Sequence, residues 1–139
     1  MKRFFCAAGM CAALLAEVPY ERIVQAEREP GNWLTYSGNY QGHRYSPLDQ
    51  VTKANVGRLR VKWARQFRES RTEVSPIVVD GILYITSPNA AAALDARTGR
   101  ELWSWSRPIP KDYQSIGFGH VNRGPAVLDN QVFVTIKKE

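Results

Sequence analysis

Cysteine is almost missing from this chain. The 139 residues include two, Cys6 and Cys11, both within the first sixteen positions. Everything beyond that point lacks a thiol, which excludes a disulfide framework and a thiolate metal site there. Histidine is equally sparse. His43 and His120 stand alone, with no Glu or Cys at ligand spacing, and do not suggest a metal site. No Ser-His-Asp set can be assigned and no glycine loop of the phosphate-cradling kind is present. The net charge is +6, yet Lys and Arg are dispersed and no block of five or six like charges occurs. With no recognisable nucleic-acid-binding pattern, the basicity reads as that of an ordinary soluble protein. Long apolar runs are also lacking, so no transmembrane span is expected apart from the N-terminal apolar region.

What is present begins with "MKRFFCAAGMCAALLA". Lys2 and Arg3 precede thirteen uncharged residues. That stretch is shorter than the roughly 20 residues a spanning helix needs, and it fits the apolar region of a secretory signal peptide. Residues 1–16 are therefore expected to be a signal, with cleavage after Ala16 and a second possible site at Ala26. Export to the periplasm follows, and loss of Lys2 and Arg3 lowers the net charge from +6 to +4.

Residues 17–58 read as a segment leading into the main domain. Residues 18–29 suit a short helix with Ile23 and Val24 on its apolar side, ended by Pro30-Gly31. The stretch that follows is rich in aromatics and turn residues, without a long helical period. Trp33, Tyr36, Tyr40 and Tyr45 are expected to serve packing of the sheets rather than nucleic-acid stacking, and Gly38, Gly42, Gly117 and Gly119 to make turns. From residue 59 short apolar runs alternate with turns. Val61, Trp63 and Phe67 fall on one side of an extended segment. Runs 77–79 and 82–86 flank Asp80-Gly81, a strong hairpin signal because both central positions of a type I′ turn need φ > 0. Runs 126–128 and 132–136 flank Asp129-Asn130 in the same grammar. Pro76 and Pro125, which open the two hairpins, lie 49 residues apart. A strand-built period of 40–50 residues is the mark of a β-propeller, so the fold class is all-β, a partial propeller.

Between the hairpins stands "AALDARTGRELW". Asp95 to Gly99 form a tight turn, with Thr98 able to bond the backbone and Gly99 free to take φ > 0. Ala93, Asp95, Thr98, Gly99 and Trp103 fill every specified place of Ala-x-Asp-x-x-Thr-Gly-x-x-x-Trp. This resembles the tryptophan-docking repeat of the quinoprotein dehydrogenases, the enzymes that use pyrroloquinoline quinone. The aromatic stretch from Trp33 to Trp63, including Tyr45-Ser46 and Asn55-Val56, resembles the opening of the quinoprotein alcohol dehydrogenases. Glu73-x-Ser75-Pro76 and Val121-Asn122-Arg123-Gly124 resemble two further segments of that family. The likeness runs from residue 18 to about 134.

The resemblance implies the first blades, over residues 59–139, of an eight-bladed propeller. It also implies that Glu73 and Arg123 bind pyrroloquinoline quinone. A guanidinium at the mouth of an apolar strand calls for an anion, and a planar fork holds a carboxylate through two parallel hydrogen bonds. Alcohol-oxidising members of the family usually carry adjacent cysteines where this chain has Gly117-Phe118, and other members lack them; Phe118 offers a flat apolar cover in their place. By the same resemblance, the catalytic aspartate and the ligands of Ca²⁺ (or a lanthanide) belong farther along, so no catalytic or metal-binding residue is assigned in this chain. It is expected to be the N-terminal portion of a periplasmic dehydrogenase, incomplete and inactive alone. The whole enzyme would oxidise an alcohol or sugar hydroxyl and pass electrons to a cytochrome c or ubiquinone. The alternative is a non-catalytic propeller of the cell envelope that mediates protein–protein contacts.

Overall fold

A computed structural model describes residues 17–67, 72–109, 112 and 121–136. Among the described residues, beside short helical turns, there are six strands: β1 (Ile77–Val79), β2 (Ile82–Ser87), β3 (Ala90–Asp95), β4 (Glu101–Ser106), β5 (Ala126–Leu128) and β6 (Gln131–Phe133). The first four form an antiparallel meander in sequence order; β5 and β6 form a second, two-stranded sheet. One four-stranded blade followed by the hairpin of another is the arrangement that the 49-residue proline spacing suggests. Among the described residues, no helix is long and apolar enough to cross a membrane. Residues 1–16, the stretch expected to be a signal, lie outside the described residues.

Turn chemistry sets the first hairpin. Asp80 (φ 49°) and Gly81 (φ 80°) both occupy the left-handed region, and Val79 pairs with Ile82 across the turn. Pro88 and Asn89 (φ 54°) connect Ser87 to its partner Ala90. Strand β3 begins with four alanines, poor strand formers whose place is explained by their neighbours. Ala93 lies between Tyr84 on β2 and Trp103 on β4. The two rings reach towards each other with centroids 6.3 Å apart. A larger residue at position 93, which is fully buried, would separate them.

The core is shared between the blades and the segment that precedes them. Ile77, Val79, Tyr84 and Ala93 pack with Val18, Ile23, Ala26, Leu34 and Val127. Burying an aliphatic side chain stabilises by roughly 1.5–3 kcal/mol, so this one cluster couples three stretches of chain. The helix expected over 18–29 is a single turn, α1 (Tyr20–Val24), continued by a 3₁₀ turn at Ala26–Arg28. Its apolar side is corrected: Ile23 and Ala26 are buried, whereas Val24 is half exposed. The three-residue spacing fits a short helix pressed on the sheet by a narrow stripe.

This N-terminal stretch acts as a strap. Val18 exchanges two backbone hydrogen bonds with Asp129 (2.9 and 2.7 Å), and Trp33 exchanges two with Val78 (2.8 and 3.0 Å). Between these anchors Arg22 uses all its N–H groups. It donates to both Glu29 oxygens (2.9 and 2.6 Å), to both Asp80 oxygens (3.0 and 2.8 Å) and to the Glu17 carbonyl (2.8 Å). Paired with Arg22, Glu29 and Asp80 are both held below the usual carboxylate range. One strap thus binds the β1–β2 turn and the β5–β6 turn.

Candidate functional site

The two blades meet where the strand leading into β1 passes the strand leading into β5. The Ser75 N–H donates to the Arg123 carbonyl at 3.0 Å. Gly124, at φ 129°, crosses so closely that a Cβ there would lie 2.5 Å from the Ser75 carbonyl oxygen. No other residue type fits that crossing without movement of the backbone.

Asn122 anchors the same stretch from within. It is buried, and its amide oxygen accepts from the Thr86 hydroxyl (2.6 Å) and from the Gly124 N–H (2.9 Å). Its amide nitrogen donates to the Thr135 carbonyl (3.0 Å) and to the Thr135 hydroxyl (3.1 Å). Both halves of the amide are engaged, which meets the requirement for burying it. With neighbours on both sides fixed, the Arg123 side chain points outward, 64% exposed.

Glu73 stands two residues before Ser75 on the neighbouring strand. The crossing brings its carboxylate within 3.2 Å of the Arg123 guanidinium. The structure therefore brings together the two residues, fifty positions apart, that the sequence reading proposes as ligands. A half-buried acid orients the arginine from one side and leaves the rest of the fork facing an open surface. Such an arrangement can take a carboxylate on the exposed side of the guanidinium, with the glutamate holding the other side.

Two features escaped the sequence reading. One is Tyr36. Its phenol is held below the ordinary tyrosine value, first by hydrogen bonding to Arg44, then to Ser75, with a further contribution from the charge of Arg123. Tyr36 thereby joins the same neighbourhood; the tyrosines at 36, 40 and 45 are exposed rather than packed, and of the four aromatics only Trp33 is half-buried. The other is Glu27, whose carboxylate lies 3.3 Å from His43 Nδ1 and accepts from Asn39 at 2.8 Å. Sequence spacing gave His43 no acidic neighbour, because loop folding supplies it. The described residues nevertheless include no group of three His, Cys, Asp or Glu able to hold a metal ion. Gly117, Phe118, Gly119 and His120 lie outside the described residues.

The docking repeat also has a definite geometry. Asp95 Oδ1 accepts from the Arg97 N–H (3.0 Å), the Thr98 N–H (2.8 Å) and the Thr98 hydroxyl (2.8 Å). Gly99, at φ 73°, faces the indole of Trp63, where a Cβ would lie 2.6 Å from the ring. Trp63 Nε1 donates to the Ala96 carbonyl at 3.1 Å. The glycine of the repeat thus receives a tryptophan from the preceding stretch, while Trp103 of the repeat packs near Tyr84.

A propeller blade built on this repeat, joined to a second by an acid–guanidinium crossing, defines the class as a quinoprotein-type propeller. Residues 33–134 match the family described as PQQ: glucose/ethanol/alcohol dehydrogenase, beta-propeller domain, and the chain belongs to it. The dehydrogenase subunit of alcohol dehydrogenase (quinone) from Gluconacetobacter polyoxogenes is 35% identical over 148 aligned positions, covering 96% of this chain and 20% of that protein. The 1-butanol dehydrogenase (cytochrome c) of Thauera butanivorans is 40% identical, covering 75% of this chain and 16% of that one. Among solved structures, quinohemoprotein alcohol dehydrogenase ADHIIG from Pseudomonas putida HK5 superposes with a TM-score of 0.74 at 38% identity, over 88% of this chain and 18% of that one. The chain thus spans a fifth or less of the length of these relatives.

Proposed function

We propose that this segment forms the first wall of a pyrroloquinoline quinone site in a dehydrogenase that oxidises an alcohol. The observation that carries the reading is the convergence of Glu73 and Arg123, at 3.2 Å, on one open surface at the blade crossing. The residues fit the cofactor's chemistry: it carries several carboxylates, and Arg123 presents a largely exposed fork to receive one. When bound, the cofactor supplies the quinone that accepts the electrons of the substrate. Arg123 would hold and orient it through a carboxylate, and Glu73 would fix the arginine beside it. The base that takes the hydroxyl proton and the ligands of a Ca²⁺ or lanthanide ion belong to other parts of the protein. The named relatives are alcohol dehydrogenases, which favours an alcohol over a sugar. The Thauera relative's cytochrome c supports such an acceptor, and the Gluconacetobacter relative's quinone supports ubiquinone. The charged start and uncharged run of residues 1–16 support a periplasmic location.

The test is reconstitution of the complete apo-protein that carries this segment. With pyrroloquinoline quinone and Ca²⁺ or a lanthanide, reduction of an artificial dye is expected with ethanol or 1-butanol and to be much slower with glucose. A protein that neither binds the cofactor nor reduces the dye would instead favour the envelope propeller of the alternative reading.

A further inference from the structure

Residues 35–44 form a tight loop beside the crossing. Gly38 N–H donates to the Thr35 carbonyl (3.1 Å), Gly42 N–H to Asn39 (3.2 Å) and Arg44 N–H to Ser37 (3.1 Å). The Trp33 indole fills the space above Gly38, where a Cβ would come within 3.0 Å of the ring. The loop ends with Arg44 at φ 51°, a left-handed conformation that a residue with a side chain adopts at a cost. That conformation sets the Arg44 guanidinium carbon 5.1 Å from the centre of the Tyr36 ring. Tyr36 in turn lines one cleft with Ile77 and Pro125, which follow the crossing strands just beyond Ser75 and Gly124. Among the described residues no carboxylate lies within ion-pair distance of Arg44, whereas Arg123 has Glu73. A loop with a left-handed arginine therefore holds an exposed cation on an aromatic face that lies beside the blade crossing.

We propose that Arg44 is a second guanidinium of the Glu73–Arg123 site. It takes a further carboxylate of the same ligand, with Tyr36 as the platform that aims it. The inference rests on the reading of that site as a cofactor site, and extends it. Two separated guanidinium groups select a planar ligand bearing at least two acid groups over one bearing a single acid. Tyr36 and Arg44 become binding residues; neither takes part in the chemical step.

The experiment measures binding of pyrroloquinoline quinone to the complete apo-protein by tryptophan fluorescence quenching, at several ionic strengths. Arg123→Gln reports on the underlying site and Arg44→Gln on this inference. Arg44→Gln is expected to weaken binding about tenfold and to flatten its salt dependence, with the melting curve unchanged. Tyr36→Phe, which keeps the ring, is expected to lose about threefold or less. If Arg44→Gln melts early, Arg44→Lys carries the test, since it keeps the charge and loses the fork. For the variant that keeps a wild-type melt, reduced affinity supports the proposal, with a flattened salt dependence also required of Arg44→Gln, and wild-type affinity overturns it. Weakening by Arg123→Gln with no change in Arg44→Gln overturns this inference alone. Loss of affinity in Arg44→Gln without a change in salt dependence also overturns it, because the loop then acts only through structure. If neither arginine matters, the cofactor reading falls with it.

Discussion

A methyl group at position 124 would meet the Ser75 carbonyl oxygen at 2.5 Å, in a backbone conformation that side chains rarely adopt. Gly124→Ala is therefore expected to destabilise the protein by roughly 1–3 kcal/mol and to pull Arg123 away from Glu73. Gly31→Ala is the control. A Cβ at Gly31 meets nothing within 4 Å, so its change should leave the midpoint of denaturant unfolding near that of the wild type. Asn122 makes a second prediction at this scale. Asn122→Ala strands the Gly124 N–H and the Thr86 hydroxyl, and is expected to cost roughly 1–3 kcal/mol by the same measurement. The sequence made Arg123 conspicuous because a cation beside an apolar strand is chemically unusual. It did not reveal that Asn122 is the buried member of the tripeptide, since its partners Thr86 and Thr135 are set by folding. The proximity of Tyr36 to Ser75 has the same origin and was equally hidden.

At the scale of elements, the hairpins were legible because their determinants are local. Asp80-Gly81 sits between two apolar runs and adopts the backbone its residues favour. The second hairpin was placed correctly, although its returning strand is Gln131–Phe133 rather than 132–136. The strap was illegible, because Val18 finds Asp129 and Arg22 finds Asp80 across more than fifty residues. Arg22→Gln is expected to cost about 1 kcal/mol near neutral pH, the half-exposed Asp80 limiting the gain from pairing. The folded-state values of Glu29 and Asp80 lie below their unfolded ones. Their contribution is thus complete above the ordinary carboxylate range and is lost as pH falls through the depressed values, below about pH 4. Wild type should lose stability over that interval, and Arg22→Gln should lose less of it; equal acid slopes in the two would contradict the pairing. In the docking repeat, Gly99→Ala places a methyl group against Trp63 and should displace the indole. A red-shifted, more quenchable tryptophan emission is the expected signature, and an unchanged spectrum would contradict it.

For the whole molecule, strands β4 and β6 pair on one side only among the described residues. Strand β4 carries exposed Leu102 and Trp105, and β6 carries exposed Phe133. Sheet edges flanked by apolar side chains invite pairing with another chain. Purified alone, these 139 residues are expected to self-associate, as light scattering after size exclusion would detect; a monomer with a cooperative melt would contradict this. The propeller class was legible at this scale because its repeat is written in short local motifs. The meeting of Glu73 with Arg123 needed the structure, since it depends on how one blade crosses the next. The cofactor-bound structure of the complete protein tests the role of that crossing most directly. A cofactor carboxylate is expected within about 3 Å of the Arg123 guanidinium, with Glu73 still beside it. A cofactor bound with Arg123 turned to solvent and out of reach would contradict it.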